Sequence, residues 1–304
     1  MAIIASAPVR ICDNGGWTDT WFGGPGRVLN VAVSPRVEVT IRRFNGDPWP
    51  SANPLVRAAL QEYPPADPVE VSIKSDAPAG SGLGTSAAVV VSLVGGLATA
   101  RGERLDLMQV ARAAHHLEAD VAGIECGVQD HASAAFGGIN FVNVDVYPVF
   151  TVEPLDAWPD LGRFLTVVYL GQPHDSSDLH DEVIETGDSA AFDRLRQAAV
   201  LAKAAVVGRD LAGFGAALVE NTSAQGDLHP GLVGRDALVV IEAARRLGAL
   251  GWKVNGAGGD GGSVTVLSGS EDARQKFDRW VHRYRRYRVI SIELSDGLRV
   301  AGSL

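Results

Sequence analysis

The sequence predicts an α+β protein with two mixed halves and a cleft between them. Strand-like runs, in which apolar and polar residues alternate, are interspersed with helix-like runs along the 304 residues, and no internal repeat is present. Three prolines fall between residues 148 and 160, so this segment is the best candidate boundary. Strands and helices mixed in this order are typical of α+β halves, which we predict at residues 1–155 and 156–304.

The first half is predicted to contain strands and two consecutive helices. Residues 37–43 and 69–74 alternate apolar and polar side chains, as half-buried strands do. The run at 85–100 is apolar nearly all round, which indicates a buried helix, and a second helix is predicted at 105–122. A further strand is expected at 139–144.

The second half is predicted to be mixed as well. Its expected elements are strands at 164–170, 253–254, 263–267 and 289–294, several helices between 179 and 247, and a helix at 272–284. Helix 272–284 combines basic and aromatic residues, as nucleic-acid surfaces do. Because its apolar residues follow helical spacing, we interpret it as a packed amphipathic helix with a solvated basic side.

Composition narrows the class of function. The net charge of −9 argues against general binding to nucleic acid or anionic membranes. The N-terminal residues lack the basic region and apolar core of a signal peptide, and the most apolar stretch, 87–100, is shorter than the roughly 20 residues that span a bilayer. Only two cysteines, Cys12 and Cys126, are present, which indicates a reducing compartment. We therefore expect a cytoplasmic protein.

A first glycine cluster, Pro78-Ala-Gly-Ser-Gly-Leu-Gly-Thr-Ser-Ala-Ala88, precedes the buried helix. Glycines at alternate positions allow positive φ, so successive amides can converge on an anion at the positive end of the helix dipole. This arrangement predicts a phosphate cradle, and a plain flexible loop is the alternative. The lysine of a Walker A loop is absent, so the phosphate charge needs a metal held elsewhere.

A second glycine cluster, Asn255-Gly-Ala-Gly-Gly-Asp-Gly-Gly262, fits the dinucleotide fingerprint G-x-G-x-x-G. That fingerprint must open a helix, whereas a strand is predicted directly after this cluster. A dinucleotide site is therefore excluded. A tight loop that approaches a ligand and a crowded hairpin turn both remain open.

Two carboxylates are candidates for chemistry near the first loop. Glu118, late in the second predicted helix, could complete a Mg²⁺ site with a hydroxyl of the phosphate loop. Asp130 could accept a proton from an attacking hydroxyl or orient it. Zinc is disfavoured, because the spacing of the nearby zinc-type residues matches no pattern of paired ligands. These residues are His115, His116, Cys126 and His131.

Taken together, these segments resemble the GHMP kinases, the superfamily of galacto-, homoserine, mevalonate and phosphomevalonate kinases. Residues 78–88 resemble its phosphate loop, 253–262 its third, glycine-rich motif, and Gly127-Val-Gln-Asp130 the segment with the catalytic aspartate. The stretch Ala7-Pro-Val-Arg-Ile-Cys-Asp-Asn-Gly-Gly-Trp-Thr-Asp19 is similar to the first motif of the sugar kinases, especially the heptose and fucose kinases. Trp17 departs from the family, which has His or Gly there.

The resemblance implies a two-lobed fold, with an N-terminal half like domain 2 of ribosomal protein S5 and a C-terminal ferredoxin-like half. It implies transfer of the γ-phosphoryl group of ATP to a sugar hydroxyl, most often the anomeric one, with Mg²⁺. Asp130 would be the catalytic base and Arg10 its partner, while Ser86 and Glu118 would hold Mg²⁺. The residues implied in nucleotide binding are Pro78, Gly80, Ser81, Gly82, Leu83, Gly84, Thr85, Ser86 and Ala87.

The same resemblance implies a sugar site and leaves the substrate open. The residues implied in substrate binding are Asp19, Trp17, Gly16, His174 and Gly258. The segment 171–180 faces the sugar in the family and has no Arg or Lys here, which favours an unphosphorylated sugar. A heptose-phosphate kinase, a kinase for a non-sugar alcohol and a sugar and ATP sensor without turnover are the alternatives. We expect a monomer or homodimer with a small-molecule substrate and no nucleic-acid or membrane partner.

Overall fold

Two long strands, β1 (Ala2–Asn14) and β2 (Gly26–Arg43), form the centre of the N-terminal half. A computed structural model describes residues 1–46, 52–173, 177–186 and 188–304 of the chain. The two strands pair in antiparallel register along most of their length. From Ala7 to Asn14 every residue of β1 is buried, so this part of the strand lacks the alternation by which strands are predicted from sequence.

Four further strands complete a six-stranded sheet in the order β10-β1-β2-β4-β5, with β3 on the other part of β2. They are β3 (Val69–Ser75), β4 (Ile139–Val146), β5 (Val149–Leu155) and β10 (Arg299–Gly302). Helices α1 (Pro54–Glu62), α2 (Thr85–Ala100), α3 (Leu107–His116) and α4 (Gln129–Phe136) belong to the same half. Helix α2 is buried along most of its length, as its all-round apolar sequence predicted.

Two segments of this half differ from the sequence-based prediction. Residues 149–155, inside the predicted boundary, form β5, and Pro154 is tolerated because β5 lies at the edge of the sheet. The single helix predicted at 105–122 is divided: α3 ends at His116, and a π-helical turn, Leu117–Val121, follows. Such turns are frequent at functional sites, and this one carries Glu118.

The C-terminal half contains a four-stranded antiparallel sheet in the order β7-β8-β6-β9. Its strands are β6 (Leu165–Tyr169), β7 (Ala249–Val254), β8 (Ser263–Ser268) and β9 (Arg288–Ile290). The helices are α5 (Ser177–Thr186), α6 (Ser189–Gly208), α7 (Leu211–Leu228), α8 (Arg235–Arg246) and α9 (Glu271–Val281). In α9, Phe277 and Val281 are buried, as the amphipathic interpretation requires. The strand predicted at 289–294 is shorter and ends at Ile290.

The two halves are joined by a shared core. Val9 and Leu29 of the first sheet belong to one buried apolar cluster with Leu165, Phe214 and Leu267 of the second half. In addition, β10 at the end of the chain pairs with β1 at its beginning. The mixed architecture confirms the predicted α+β class, while the division at residue 155 stays a prediction. None of the helices in the described ranges combines the length and apolar character needed to cross a bilayer.

Candidate active site

A cleft of about 320 Å³ lies where the two halves meet. It is lined by Arg10, Asp13, Gly16, Trp17, Asp19, Thr20, residues 80–86, Glu118, residues 124–127, Gln129, Asp130, Gly256 and Ala257. The structure therefore brings together the first motif, the phosphate loop, both candidate carboxylates and the start of the second glycine cluster.

The phosphate loop, residues 80–86, presents its backbone amides to this cleft. Gly80, Gly82 and Gly84 have φ values of 64°, 71° and 69°, the alternation that forms a concave anion-binding nest. The carbonyls of residues 81–83 accept hydrogen bonds from Ser263 and Arg10, so they point into the protein. In the described part of the chain, the amides of residues 82–84 donate to no protein acceptor.

Helix α2 begins directly after this loop, at Thr85. Its N-cap residue is Gly84, which offers no side chain to cap the first amides. The N-terminus of a helix carries partial positive charge and unsatisfied N–H groups. The loop and the helix together therefore form a site suited to phosphate groups.

Arg10 and Asp130 form a bidentate ion pair beside the loop. The Nε of Arg10 donates to Oδ1 of Asp130 at 2.7 Å, and Nη2 donates to Oδ2 at 2.9 Å. The side chain of Arg10 is 5% exposed and that of Asp130 is 26% exposed, so the carboxylate remains open to the cleft. Burial acts to lower the pKa of Arg10, but the carboxylates of Asp130 and Asp13 outweigh burial and raise it.

Glu118 is held between Ser86 and His131. Its Oε1 accepts a hydrogen bond from Oγ of Ser86, and its Oε2 lies 2.7 Å from Nε2 of His131. Burial acts to raise the pKa of Glu118, but the hydrogen bonds from His131 and Ser86 outweigh burial and lower it. An ionised carboxylate next to a hydroxyl, both beside the phosphate loop, is the donor set that Mg²⁺ prefers.

Asp19 lies on the side of the cleft formed by the first motif. Its Oδ2 accepts a hydrogen bond from the amide of Gln129 at 2.9 Å, and Gly127 provides the space for this carboxylate because it has no Cβ. Burial raises the pKa of Asp19 to about 6. Trp17 lies nearby with φ at 77°, a conformation that costs a bulky side chain energy and is concentrated at functional sites.

The second glycine cluster contributes Gly256 and Ala257 to the lining. The amide of Gly256 donates to Oδ2 of Asp13 at 3.0 Å, and Nζ of the buried Lys253 lies 3.5 Å from Oδ1 of the same carboxylate. Sequence reasoning did not assign a role to Asp13 or Lys253. The available signal was the presence of charged residues in two mainly apolar strands, Arg10 and Asp13 in β1 and Lys253 in β7.

Three of the described residues implied by the resemblance do not line the cleft. Gly258 packs against the carbonyl of Leu232 and the side chain of Gln225. Pro78 closes the turn before the loop, and Ala87 is buried in α2. His174 lies outside the described residues.

Known proteins match this chain along nearly its whole length. Residues 52–138 match the family model of the GHMP kinases N terminal domain, a stretch that contains the phosphate loop, Glu118 and Asp130. The mevalonate kinase of Methanothermobacter thermautotrophicus is 28% identical over 258 residues, which cover 80% of this chain and 81% of that protein. Residues 52–138 are thus identified as a GHMP kinase N-terminal domain, and the similarity to GHMP kinases extends beyond that region. The family predicted from the motifs is therefore confirmed, and with it a small-molecule kinase.

Other GHMP kinases are similar over shorter stretches or in fold alone. The galactokinase of Mycobacterium bovis is 37% identical over 90 residues, which cover 30% of this chain and 25% of that protein. The structure of a D-glycero-D-manno-heptose 1-phosphate kinase from Bacteriodes thetaiotaomicron superimposes with a TM-score of 0.78 at 20% identity and covers 99% of both chains. Lactococcus lactis galactokinase, solved with galactose, gives 0.79 at 16% identity, covering 98% of this chain and 95% of its own. These likenesses confirm the two-lobed GHMP fold.

Proposed function

We propose that this GHMP kinase transfers the γ-phosphoryl group of ATP to a hydroxyl of an unphosphorylated sugar, with the anomeric O1 as the acceptor. The observation that carries this proposal is the charge of the cleft. Among the lining residues that the structure describes there are five carboxylates and one cation, Arg10. The carboxylates are Asp13, Asp19, Glu118, Glu125 and Asp130.

This charge balance favours a neutral acceptor. An acceptor that carried its own phosphate or carboxylate would bring a further negative charge into a cleft that has little positive charge to pair with it. A sugar has no net charge, and its hydroxyls can donate hydrogen bonds to carboxylates. Asp19 supports the proposal most directly. Its carboxylate is buried, the amide of Gln129 holds it in place, and it lines the same cleft as Asp130.

The donor half of the reaction uses the phosphate loop. ATP is the phosphoryl donor of this superfamily, and its phosphates would bind the open amides of residues 82–84 at the N-terminus of α2. Ser86 and Glu118 have the hard oxygen atoms that a Mg²⁺ ion requires, so they fit the role of metal ligands. When bound, Mg²⁺ supplies positive charge to the phosphates in a cleft that is otherwise acidic.

The acceptor half of the reaction uses Asp130 and Arg10. Phosphoryl transfer passes through a loose transition state, so the protein contributes chiefly by positioning and electrostatics. Arg10 fixes the plane of the Asp130 carboxylate, and the exposed side of that carboxylate orients the acceptor hydroxyl and takes its proton. The guanidinium of Arg10 also contacts the carbonyl of Gly82, which places its charge next to the transferring group.

The sugar would lie next to Asp19, Trp17 and Gly16, which all line the cleft. Carboxylates accept hydrogen bonds from hydroxyls, and an indole stacks on the apolar face of a pyranose ring. The anomeric hydroxyl is the most acidic hydroxyl of a free sugar, which suits a carboxylate base. The fold likeness to a heptose 1-phosphate kinase and to a galactokinase solved with galactose is consistent with this class of acceptor.

A second candidate is a kinase for a non-sugar alcohol such as mevalonate. The observation that favours it is the identity of 28% to a mevalonate kinase over 81% of that protein. The acidic cleft argues against it, because mevalonate is a carboxylate. A panel of acceptors separates the two.

The test is ADP formation from Mg-ATP across free hexoses, heptoses and deoxyhexoses, their phosphates, mevalonate and homoserine. We expect the highest kcat/KM with a free sugar and, in the product, a phosphorus resonance coupled to the anomeric proton. A clear preference for a phosphorylated sugar or for mevalonate would overturn the proposed acceptor. ATP binding without turnover on any acceptor would instead support a sensor.

A further inference from the structure

Three side chains with different donor atoms converge behind the phosphate loop. The carboxylate of Glu118, the thiol of Cys126 and the imidazole of His131 have ligand atoms that all lie within 4.8 Å of one another. Cys126 and His131 stand out as zinc-type residues in the sequence, but zinc is disfavoured there because the three residues are eight and five positions apart and match no pattern of paired ligands. The two other histidines nearby do not take part. His115 lies 2.9 Å from the hydroxyl of Tyr147, and His116 pairs with Asp120.

The fold holds these three side chains in place. Glu118 lies on the π-helical turn, and His131 lies on α4 with its side chain fully buried. Cys126 belongs to the loop between them, and its backbone carbonyl accepts a hydrogen bond from Tyr147 at 3.2 Å. Because Cys126 lines the cleft and is only partly buried, an ion can reach the group from the cleft.

The donor set selects a class of cation. Mg²⁺ binds oxygen atoms and disfavours thiolate and imidazole, whereas Zn²⁺ commonly binds cysteine, histidine and carboxylate together. Three protein ligands leave one tetrahedral position for water or another oxygen. On binding, the metal takes the place of the thiol proton of Cys126, which is released to solvent.

We propose that Glu118, Cys126 and His131 form a binding site for Zn²⁺ or a cation of the same class, and that its occupation inhibits the kinase. Inhibition follows because this cation draws on the carboxylate of Glu118 that would hold the Mg²⁺ of the nucleotide, and because two dications so close together repel each other. The inhibitory part rests on the proposed role of Glu118 in Mg²⁺ binding. The proposal that the three residues bind Zn²⁺ does not rest on that role, because metal binding is measured without nucleotide.

The binding test uses Co²⁺ as a spectroscopic substitute for Zn²⁺. Reduced, metal-free protein is titrated with Co²⁺ in the absence of ATP, and thiolate-to-cobalt charge-transfer absorption is recorded. We expect one cobalt ion per chain in the native protein and in His116→Gln, a control that removes an exposed neighbouring histidine. Cys126→Ser is expected to lose the absorption. Its persistence in Cys126→Ser would assign the ion to Cys12, and its absence from the native protein would exclude the site.

A second measurement needs no variant and so does not depend on the folding of one. Cys126 of the native protein is alkylated and quantified by mass spectrometry, with and without one equivalent of Zn²⁺. We expect Zn²⁺ to slow alkylation of Cys126 by more than tenfold, in line with its conversion to a metal ligand. An unchanged alkylation rate would overturn the proposed site.

The inhibition test follows turnover at fixed Mg-ATP while free Zn²⁺ is set with a metal buffer. We expect Zn²⁺ to inhibit the native enzyme, higher Mg²⁺ to relieve the inhibition, and Cys126→Ser to need at least tenfold more Zn²⁺. Undiminished turnover at a Zn²⁺ concentration that saturates the cobalt-defined site would overturn the inhibitory role. If no acceptor supports turnover, the proposed function fails while the Co²⁺ titration still decides the metal site.

Discussion

The two glycine-rich loops pack against each other beside the cleft but differ in how their backbone groups are bonded. In the phosphate loop the carbonyls of residues 81–83 bond to the protein, and the amides of residues 82–84 are left for a ligand. In the loop 255–262 both kinds of backbone group bond to the protein, and the carbonyls of Gly256 and Ala257 accept from Gln225. The amides of Gly256, Gly259 and Gly262 donate to Asp13, Leu232 and Gln172 at 2.9 to 3.1 Å.

This difference explains why glycine content alone does not identify a ligand-binding loop. A Cβ added to Gly82 would lie 2.7 Å from the carbonyl of Asn255, so the two loops pack back to back and both need glycine. In the described part of the chain, the first loop has three consecutive amides without a protein acceptor, whereas the second loop has at most two in a row. We infer that the first loop carries the chemistry together with Arg10, Glu118 and Asp130. The second loop packs behind the first loop and supports it.

The largest expected effect lies on the side of the first loop. Asp130→Asn keeps the shape of the side chain but removes the base, so kcat should fall by about 10²- to 10⁴-fold while ATP affinity changes little. Steady-state kinetics with the best sugar and isothermal titration with ATP measure the two quantities. Asp120→Asn, which changes an exposed acid, serves as the control.

The same prediction includes a test of coupling. Because Arg10 and Asp130 form one bidentate unit, Arg10→Ala combined with Asp130→Asn should cost less than the sum of the two separate changes. Near-native kcat in Asp130→Asn would show that the base lies elsewhere. Full additivity would show that the pair does not act as a unit.

On the side of the second loop we expect loss of stability instead. Lys253→Met leaves Asp13 buried without its cation, which should lower the free energy of unfolding by about 3–5 kcal/mol. Urea denaturation measures the change, and Asp13→Asn/Lys253→Met should recover part of it, since the uncompensated charge is then absent. A loss below about 1 kcal/mol would mean that the ion pair does not stabilise this wall of the cleft.

Asp19, which also lines the cleft, is expected to lower the stability of the protein and to contribute to sugar binding. Its folded pKa of about 6 exceeds the value near 3.9 expected of an unfolded chain. The folded state therefore holds the proton more tightly, and the free energy of unfolding decreases as pH rises between these values. Above about pH 6 the full cost of the buried charge, up to about 3 kcal/mol, is present.

Asp19→Asn should remove this cost. We expect the variant to be more stable than the native protein at about pH 7.5, with the gain vanishing near pH 4, and to bind its sugar more weakly. Denaturant unfolding at several pH values and the KM for sugar measure both effects, with the exposed Asp156→Asn as control. A gain that does not depend on pH would contradict the assignment of the shift to Asp19.

The smallest expected effect concerns two glycines, Gly84 and Gly102, that lie at opposite ends of α2. Gly84 and Gly102 both have positive φ, at 69° and 76°, so alanine costs each about 1 kcal/mol of backbone strain. A Cβ at Gly84 would also lie 3.1 Å from Oδ2 of Asp130, whereas one at Gly102 meets nothing within 4 Å. Gly84→Ala should therefore lower kcat about tenfold beyond the effect of Gly102→Ala. Equal kcat values in the two variants would contradict the contact.

Parts of the fold could be predicted because the sequence records which faces are buried. The all-round apolar run of α2 and the alternation of β3 gave elements within a residue of the observed bounds. The inner part of β1 was missed because both of its faces are buried. Strand β5 was missed because Pro154 and the prolines on either side of the strand resemble a linker, although an edge strand tolerates a proline.

The candidate site was predictable where a local motif carries it. The phosphate loop, Glu118 and Asp130 are short-range signals, and they line one cleft. The Asp13–Lys253 ion pair arises from a contact between residues far apart in the sequence, and the group of Glu118, Cys126 and His131 arises from irregularly spaced residues. No periodicity or spacing records such contacts, because tertiary packing alone creates them.

The most direct test is a crystal structure with Mg²⁺ and a non-hydrolysable ATP analogue, together with the sugar that gives the highest turnover. The account predicts phosphates against the amides of residues 82–84, the cation between Ser86 and Glu118, and a sugar hydroxyl within hydrogen-bond distance of Asp130. Phosphates bound to the loop 255–262, with the loop 80–86 empty, would contradict it.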